Sequence, residues 1–503
     1  MNRRDFIRLS AAASFAASRL PLSFADSNPQ ISVRLTLRPD RLGNKIGSDF
    51  TGLSYESAQL GNPHFFSGEN TDLAGFIRRL GASGVLRIGG NTSEYCYWTP
   101  DPSKPANLQN PESMRTGDKA NPIAFGLAVN PDTGRKAPAP VNITPLAVRN
   151  LRDFLDVCGW KLIYGLNMGT GTAEDAADEA AYVMQVAGPK LIAFQLCNEP
   201  DLFYRNGIRN TDYDFAQFAG EWQHFYQAIK ARVPHAAFAG PDTAYNNEWL
   251  VPFAKQFKHE VAFLSQHYYA MGPPTDPSMT IERMLAPNPK LQAEFEGMKK
   301  TVQESGLPFR LAETNSCYQG GKPGVSDTFA SALWSADLMY QLASEGGIGI
   351  NFHGGGYGWY TPIAGTVEDG FLARPDYYGM LLFAQSGAGQ RVESKLDASD
   401  LSPLLTAYGL RGDTGAMKAA VFNKNLDHGV RLTIDTGRGA ERATALRLHA
   451  PRVDDTTDTT FGGTPVGASG AWSATRQETL SVENGAAVIA LPAASAALIT
   501  FGP

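Results

Sequence analysis

With 503 residues the chain is too long for one small domain, and one barrel plus one accessory domain is the natural division at this length. A charged fraction of 19% and an apolar fraction of 43% are those of a soluble globular protein and argue against disorder outside the N-terminus. The formal net charge of −6 disfavours nucleic acid and densely sulfated polymers as partners, because the long-range field repels polyanions.

Residues 1–25 resemble a twin-arginine export signal: Arg3-Arg4 precedes Phe6, an alanine-rich weakly apolar stretch follows, and Ser23-Phe24-Ala25 offers a small-x-small exit. The expectation is export to the periplasm or beyond, with cleavage after Ala25; a basic amphipathic helix is the alternative. Cleavage removes four arginines and one aspartate and takes the net charge from −6 to −9. No other segment reaches the ~18 consecutive apolar residues of a membrane span. The four cysteines, Cys96, Cys158, Cys197 and Cys317, show no CxxC spacing, and a Cys96–Cys317 pairing stays open.

ISVRLTLRPDRL (31–42) alternates like a strand, and residues 26–45 are assigned to the C-terminal domain. A βα rhythm then runs from 46 to 385. Eight strand-like runs follow one another: TGLSYES (51–57), GVLRIGG (84–90), KLIYGLNMG (161–169), LIAFQLCNEP (191–200), AAFAGPD (236–242), VAFLSQHYY (261–269), FRLAETNS (309–316) and GIGINFHGG (347–355). Between them, stretches such as TPLAVRNLRDFLDVCG and DTFASALWSADLMYQLASEG repeat apolar residues at helical spacing, and Asp327 is the N-cap candidate of the second. Eight such units predict a (β/α)8 barrel. More than fifty Pro-, Asn- and Gly-rich residues separate Gly90 from the helix near Thr144. A loop that long on the active face is placed to roof a pocket. Residues 386–503 read as short strands between Gly, Asp and Asn turns, a β-sandwich domain.

The chemistry concentrates at strand ends. Glu199 ends run four and Glu313 ends run seven. A carboxylate at the exit of an apolar strand is costly unless paired or used. Two of them facing each other at the C-terminal mouth of a barrel match the requirement of glycoside hydrolysis, and a retaining reaction needs them ~5–5.5 Å apart. Asn198 is suited to bond a sugar 2-hydroxyl, and His267 and Tyr268, in the run with Tyr269, to orient and ionise the nucleophile. The bland alternative for Glu313 is a buried ion pair with Arg87 or Arg310; for His267 it is a satisfied core histidine. Gly354-Gly355-Gly356-Tyr357-Gly358 lacks the helix and acidic partner of a nucleotide loop. The eight histidines form no HExxH-like cluster, so neither a metal nor another cofactor is expected.

LIAFQLCNEPD, the HYY run, LAETNSCYQGG and SDTFASALWSADLMYQLA resemble glycoside hydrolase family 79, the family of β-glucuronidases and heparanases, over the whole chain after the signal. The resemblance implies Glu199 as acid/base and Glu313 as nucleophile. It implies that the backbone N–H groups of Tyr318 and Gly320 and the hydroxyl of Tyr360 bind a uronate carboxylate. It places Glu56 and Asn91 at the sugar 3- and 4-hydroxyls. The cleft loops lack the basic clusters suited to sulfated substrates, Lys322 excepted, which favours an exo-β-glucuronidase acting on a glucuronic-acid-containing carbohydrate. An endo-acting heparanase-like enzyme is the alternative, and a non-catalytic carbohydrate-binding protein a further one. Oligomeric state is not legible.

Overall fold

The computed structural model describes residues 31–101, 103, 140–397, 404–437 and 439–502, and in it the eight apolar runs form one parallel sheet. The strands are Thr51–Glu56, Val85–Gly89, Lys161–Gly165, Leu191–Gln195, Ala239–Thr243, Phe263–Met271, Phe309–Cys317 and Gly349–Gly354, barrel strands one to eight. Each pairs with its sequence neighbour and strand eight closes onto strand one. Strands four and five meet through a single bridge, Phe194 to Phe238, with Phe194 N–H donating to the Ala237 carbonyl at 2.9 Å. The result is a nearly closed (β/α)8 barrel. The export-signal segment and residues 104–139 of the long excursion lie outside the described residues. The roots of that excursion, Cys96–Trp98 and Val141–Ile143, pair in parallel.

Local chemistry sets the helix ends. Pro145 stands at N1 behind the Thr144 cap of helix Pro145–Cys158, and Gly159, left-handed at φ 83°, ends it. Asp214 and Gln217 form a reciprocal capping box on Phe215–Arg232. The Asp327 expectation fails. Thr328 is the N-cap residue of Phe329–Ser344, and the Asp327 carboxylate instead accepts the Gly324 N–H at 2.7 Å, closing the preceding turn.

Strand Ile31–Ile46 precedes the barrel and lies in the other large sheet, antiparallel to Gly389–Asp397 and parallel to Val430–Asp435. Its Val33, Leu35 and Leu37 alternate inward. The expected sandwich is hydrogen-bonded as one eleven-stranded sheet. It curls on itself so that Leu432 and Ile489 share a core with Ala445 and Ile499 from the far end of the strand order. Its other face continues the barrel core through Tyr408, Phe422 and Leu498. Helix Phe329–Ser344 is therefore buried nearly all round. Within this junction Asp337 accepts from Lys424 Nζ at 2.5 Å, Tyr408 hydroxyl at 2.6 Å and Thr406 hydroxyl at 2.7 Å. All four cysteines are buried unpaired thiols, which removes the Cys96–Cys317 pairing.

Candidate active site

Inside the barrel the side chains change character with height. Val85, Ile163, Ala193, Ala239 and Phe263 form a closed apolar floor. One turn of pleat higher, strand two turns Arg87 inward where an apolar residue would serve packing. All five of its guanidinium N–H groups are engaged: with Gln195 at 2.9 Å, Ser54 at 3.1 Å, Glu313 at 2.5 Å, Asn198 at 2.9 Å and Asp242 at 2.6 Å. Burial opposes its charge, but Asp242 and Glu313 outweigh that and hold it cationic. The predicted ion-pair alternative for Glu313 thus exists with Arg87. Arg310 faces elsewhere, bonding Asn351 at 2.7 Å and the carbonyls of Asp49 and Phe50.

Glu313 and Glu199 stand above this plate. Glu313 accepts from Arg87 on one oxygen and from the Tyr269 hydroxyl at 2.7 Å on the other. Burial alone raises its pKa; the positive charges of His353, His267 and Arg87, with the Tyr269 bond, reverse this and hold it well below the usual carboxylate range. Glu199 is left-handed, φ 49° and ψ 55°, and its N–H donates to the Asp242 carbonyl at 2.9 Å. His267 Nδ1 lies 3.0 Å from Glu199 Oε1 and 4.0 Å from Glu313 Oε2, and Nε2 lies 3.2 Å from Asp242 Oδ1. Burial disfavours charge on this ring, but Asp242, Glu313 and the Glu199 bond push its pKa up to about 10. Glu199, His267 and Glu313 each bring one oxygen or nitrogen within 4.8 Å of the others. The imidazole thus ties the two carboxylates into one hydrogen-bonded, ion-paired cluster at the mouth of the barrel.

The other sequence candidates fall on several sides of this pair. Asn198 gives its side-chain oxygen to Arg87, and its amide nitrogen is 3.5 Å from Asn91 Oδ1 in an exposed turn. Glu56, at the end of strand one, accepts both the N–H and the hydroxyl of Thr92, at 2.8 and 2.6 Å, and lies 3.4 Å from His353 Nε2. Tyr360 is nearly buried, its ring 6.1 Å from those of Tyr269 and His353. Gly320, at φ 87°, accepts the Trp359 N–H on its carbonyl at 2.6 Å, tying the turn after strand seven to the Tyr360 segment.

Two expectations are corrected. Tyr268 does not orient the nucleophile. Strand alternation turns His267 and Tyr269 inward and Tyr268 outward, where it is buried against Tyr245 with Lys290 Nζ 5.9 Å from its ring centre. The Tyr318 N–H is engaged by the Met271 carbonyl at 3.2 Å, so it is not open to a carboxylate, although the ring is 36% exposed and 6.5 Å from that of Tyr269. Lys322, half-buried, donates to the Asp276 carbonyl at 2.8 Å. Sequence reasoning did not single out Asp242, His353, Gln195, Ser54 or Glu94. A signal existed for two of them: Asp242 ends run five, and His353 lies in the last third of run eight, polar residues in late positions as Glu199 and Glu313 are in theirs.

Residues 147–340 match the glycosyl hydrolase family 79 N-terminal domain, and residues 407–498 match the family's C-terminal beta domain. The chain belongs to glycosyl hydrolase family 79. It is a glycosidase of that family, built on a barrel and a C-terminal sheet. A β-glucuronidase of Aspergillus niger is 25% identical over 442 residues, 80% of this chain and 76% of that one. A heparanase of Rattus norvegicus is 22% identical over 409 residues, 74% of this chain and 73% of that one. Among solved structures, a 4-O-α-L-rhamnosyl-β-D-glucuronidase of Fusarium oxysporum superposes with TM-score 0.69 at 17% identity, over 93% of this chain and all of that one. A family 51 arabinofuranosidase of Xanthomonas axonopodis pv. citri gives 0.66 at 14% identity, over 94% and 100%. These two likenesses concern the fold shared by family 79 with other glycosidases.

Proposed function

We propose that the chain is a retaining exo-β-D-glucuronidase in which Glu313 is the nucleophile and Glu199 the acid/base. The observation that carries this is the division of environments around two carboxylates, each with an oxygen within 4.8 Å of one of the other's. Glu313, held ionised by Arg87, Tyr269, His267 and His353, attacks the anomeric carbon. Glu199, bonded to His267 alone of these groups, gives a proton to the leaving oxygen as the glycosyl–oxygen bond breaks. In the second half Glu199 takes a proton from water, which attacks the anomeric carbon and releases Glu313. The short separation supports this double displacement, since an inverting pair at ~6.5–9.5 Å leaves room for a water between them.

The uronate reading is supported by Tyr360 and the Gly320 turn on the nucleophile side of the cluster, by the family, and by the Aspergillus niger relative, itself a β-glucuronidase. Glu56, 3.4 Å from His353 Nε2, and Asn91, 3.5 Å from the Asn198 amide, are suited to sugar hydroxyls. The heparanase relative supports the endo alternative. The acidic chain favours the exo form, since a negative field opposes sulfated polymers. Export through the twin-arginine-like segment is part of the proposal. A chromogenic β-glucuronide tests activity, and the product sizes released from a long unsulfated glucuronate-containing polysaccharide separate the two modes. Monosaccharide release without an early fall in chain length supports exo action; a rapid fall overturns it.

A further inference from the structure

We infer that Glu94 is a positioning residue for the acid/base, fixing from the turn after strand two the peptide that carries Asn198 and Glu199. The inference rests on the assignment of Glu199 above. Glu94 is 1% exposed, and the bonds to its carboxylate among the described residues come from uncharged donors, with the Arg209 charge acting only at longer range. Its two oxygens reach backbone N–H groups past two other strands: Oε1 accepts from Asn198 at 2.7 Å, and from the Ser93 hydroxyl at 3.3 Å, and Oε2 accepts from Gly169 at 2.6 Å. Charge-assisted bonds of this length hold peptides firmly. Burial still pushes the group up to about 7, so it is retained against its own desolvation.

The surroundings are shaped to this carboxylate. A side chain at Gly169 would put its first carbon 2.5 Å from Glu94 Oε2, so glycine is what lets the oxygen reach that N–H. The Thr170 hydroxyl donates to the Glu94 carbonyl. Behind Gly169, Arg209 donates to the Gly169 carbonyl at 2.7 Å and is itself clamped by Glu221 at 3.0 and 3.1 Å. The peptides on either side of the acid/base are thus both anchored: Asn198 N–H to Glu94, and Glu199 N–H to the Asp242 carbonyl. A left-handed glutamate needs such over-determination to persist. The same turn carries Thr92, which holds Glu56 on the sugar-hydroxyl side. Residues 92–94 therefore couple the hydroxyl-binding side of the pocket to the proton donor.

Glu94→Gln keeps the shape but replaces one acceptor with an amide NH2, so one of the two N–H groups loses its partner. The measurement is kcat/KM per active site, sites being counted by a 2-fluoro-glucuronide burst, across aryl β-glucuronides from dinitrophenyl to phenyl. A misplaced proton donor matters only when the leaving group needs protonation. We expect a loss of about tenfold to a hundredfold on phenyl glucuronide and about threefold or less on the dinitrophenyl substrate. Gly169→Ala, which displaces the carboxylate without removing it, should give the same pattern more weakly. Equal loss across all leaving groups, or fewer active sites with unchanged activity per site, makes Glu94 merely structural and overturns the inference. Glu199→Ala run in parallel separates the two claims. If it also lacks leaving-group dependence, the acid/base assignment itself has failed; if it shows it while neither the Glu94 nor the Gly169 variant does, only the Glu94 inference has.

Discussion

The backbone N–H of Glu199 donates to the carbonyl of Asp242 at 2.9 Å, and both residues are left-handed, φ 49° and 62°. For residues other than glycine this conformation costs about 1–2 kcal/mol each. The bond therefore lies between two strained strand ends, at the seam where the barrel has a single bridge. The Asp242 side chain meanwhile braces Arg87 and faces His267, so one residue supports Glu199 by its backbone and, through these two groups, Glu313 by its side chain.

The first prediction follows from the roles assigned to the two glutamates. Glu313→Gln should abolish turnover with the fold intact by circular dichroism. Glu199→Ala should keep kcat/KM on substrates with good leaving groups, and azide should restore turnover as a β-glucuronyl azide. Proton NMR of the wild-type reaction should show the β-anomer of glucuronic acid first. An α-anomer appearing first rules out retention.

Tyr360→Phe tests carboxylate recognition. Loss of a hydroxyl bonded to a charged group costs ~1.5–3 kcal/mol, about tenfold to 150-fold in kcat/KM. The loss should fall on glucuronides and spare the matched glucosides. Equal losses on both would mean that Tyr360 does not read the uronate.

His267 links the site to stability through pH. Its folded pKa of about 10 lies above the ordinary histidine value of ~6.5. The stabilisation from protonating it is fully present below pH ~6.5 and is lost as pH rises through about 10. His267→Gln should therefore lower Tm by more near neutral pH than in strong alkali. A gap in Tm that stays constant across this range would show that the ring is neutral in the fold.

Lys424 and Asp337 join the sheet to the barrel, their side chains 7% and 3% exposed. Lys424→Met leaves Asp337 buried without its cation and should destabilise by about 3–5 kcal/mol. Adding Asp337→Asn should recover part of that loss, because the uncompensated charge is gone. Chemical denaturation measures both. A single variant as stable as wild type would mean that the pair contributes nothing to docking.

The strand runs were legible because barrel strands are buried on both faces and read as short apolar blocks. Glu199 and Glu313 stood out by breaking that apolarity, Glu199 just past strand four and Glu313 midway along strand seven. The same rule, applied to Asp242 and His353, would have flagged them too. Arg87 was legible as a charge inside the apolar run VLRIG, but a run does not say which acids a guanidinium will meet.

The sequence by itself determined the eight-strand rhythm, the sheet-forming C-terminal region and the family, since each is a pattern local to a few dozen residues. Tertiary structure alone decided the rest. Whether a residue of the HYY run faces the pocket depends on pleat phase, and this put Tyr269 on Glu313 and Tyr268 behind the strand. Which charges neighbour one another depends on strand order, and this brought Arg87, Asp242, His267 and Glu313 together across as many as 226 residues of chain. Their protonation states follow from that proximity among buried side chains, where burial and neighbouring charge set the balance, and neither is a property of sequence position.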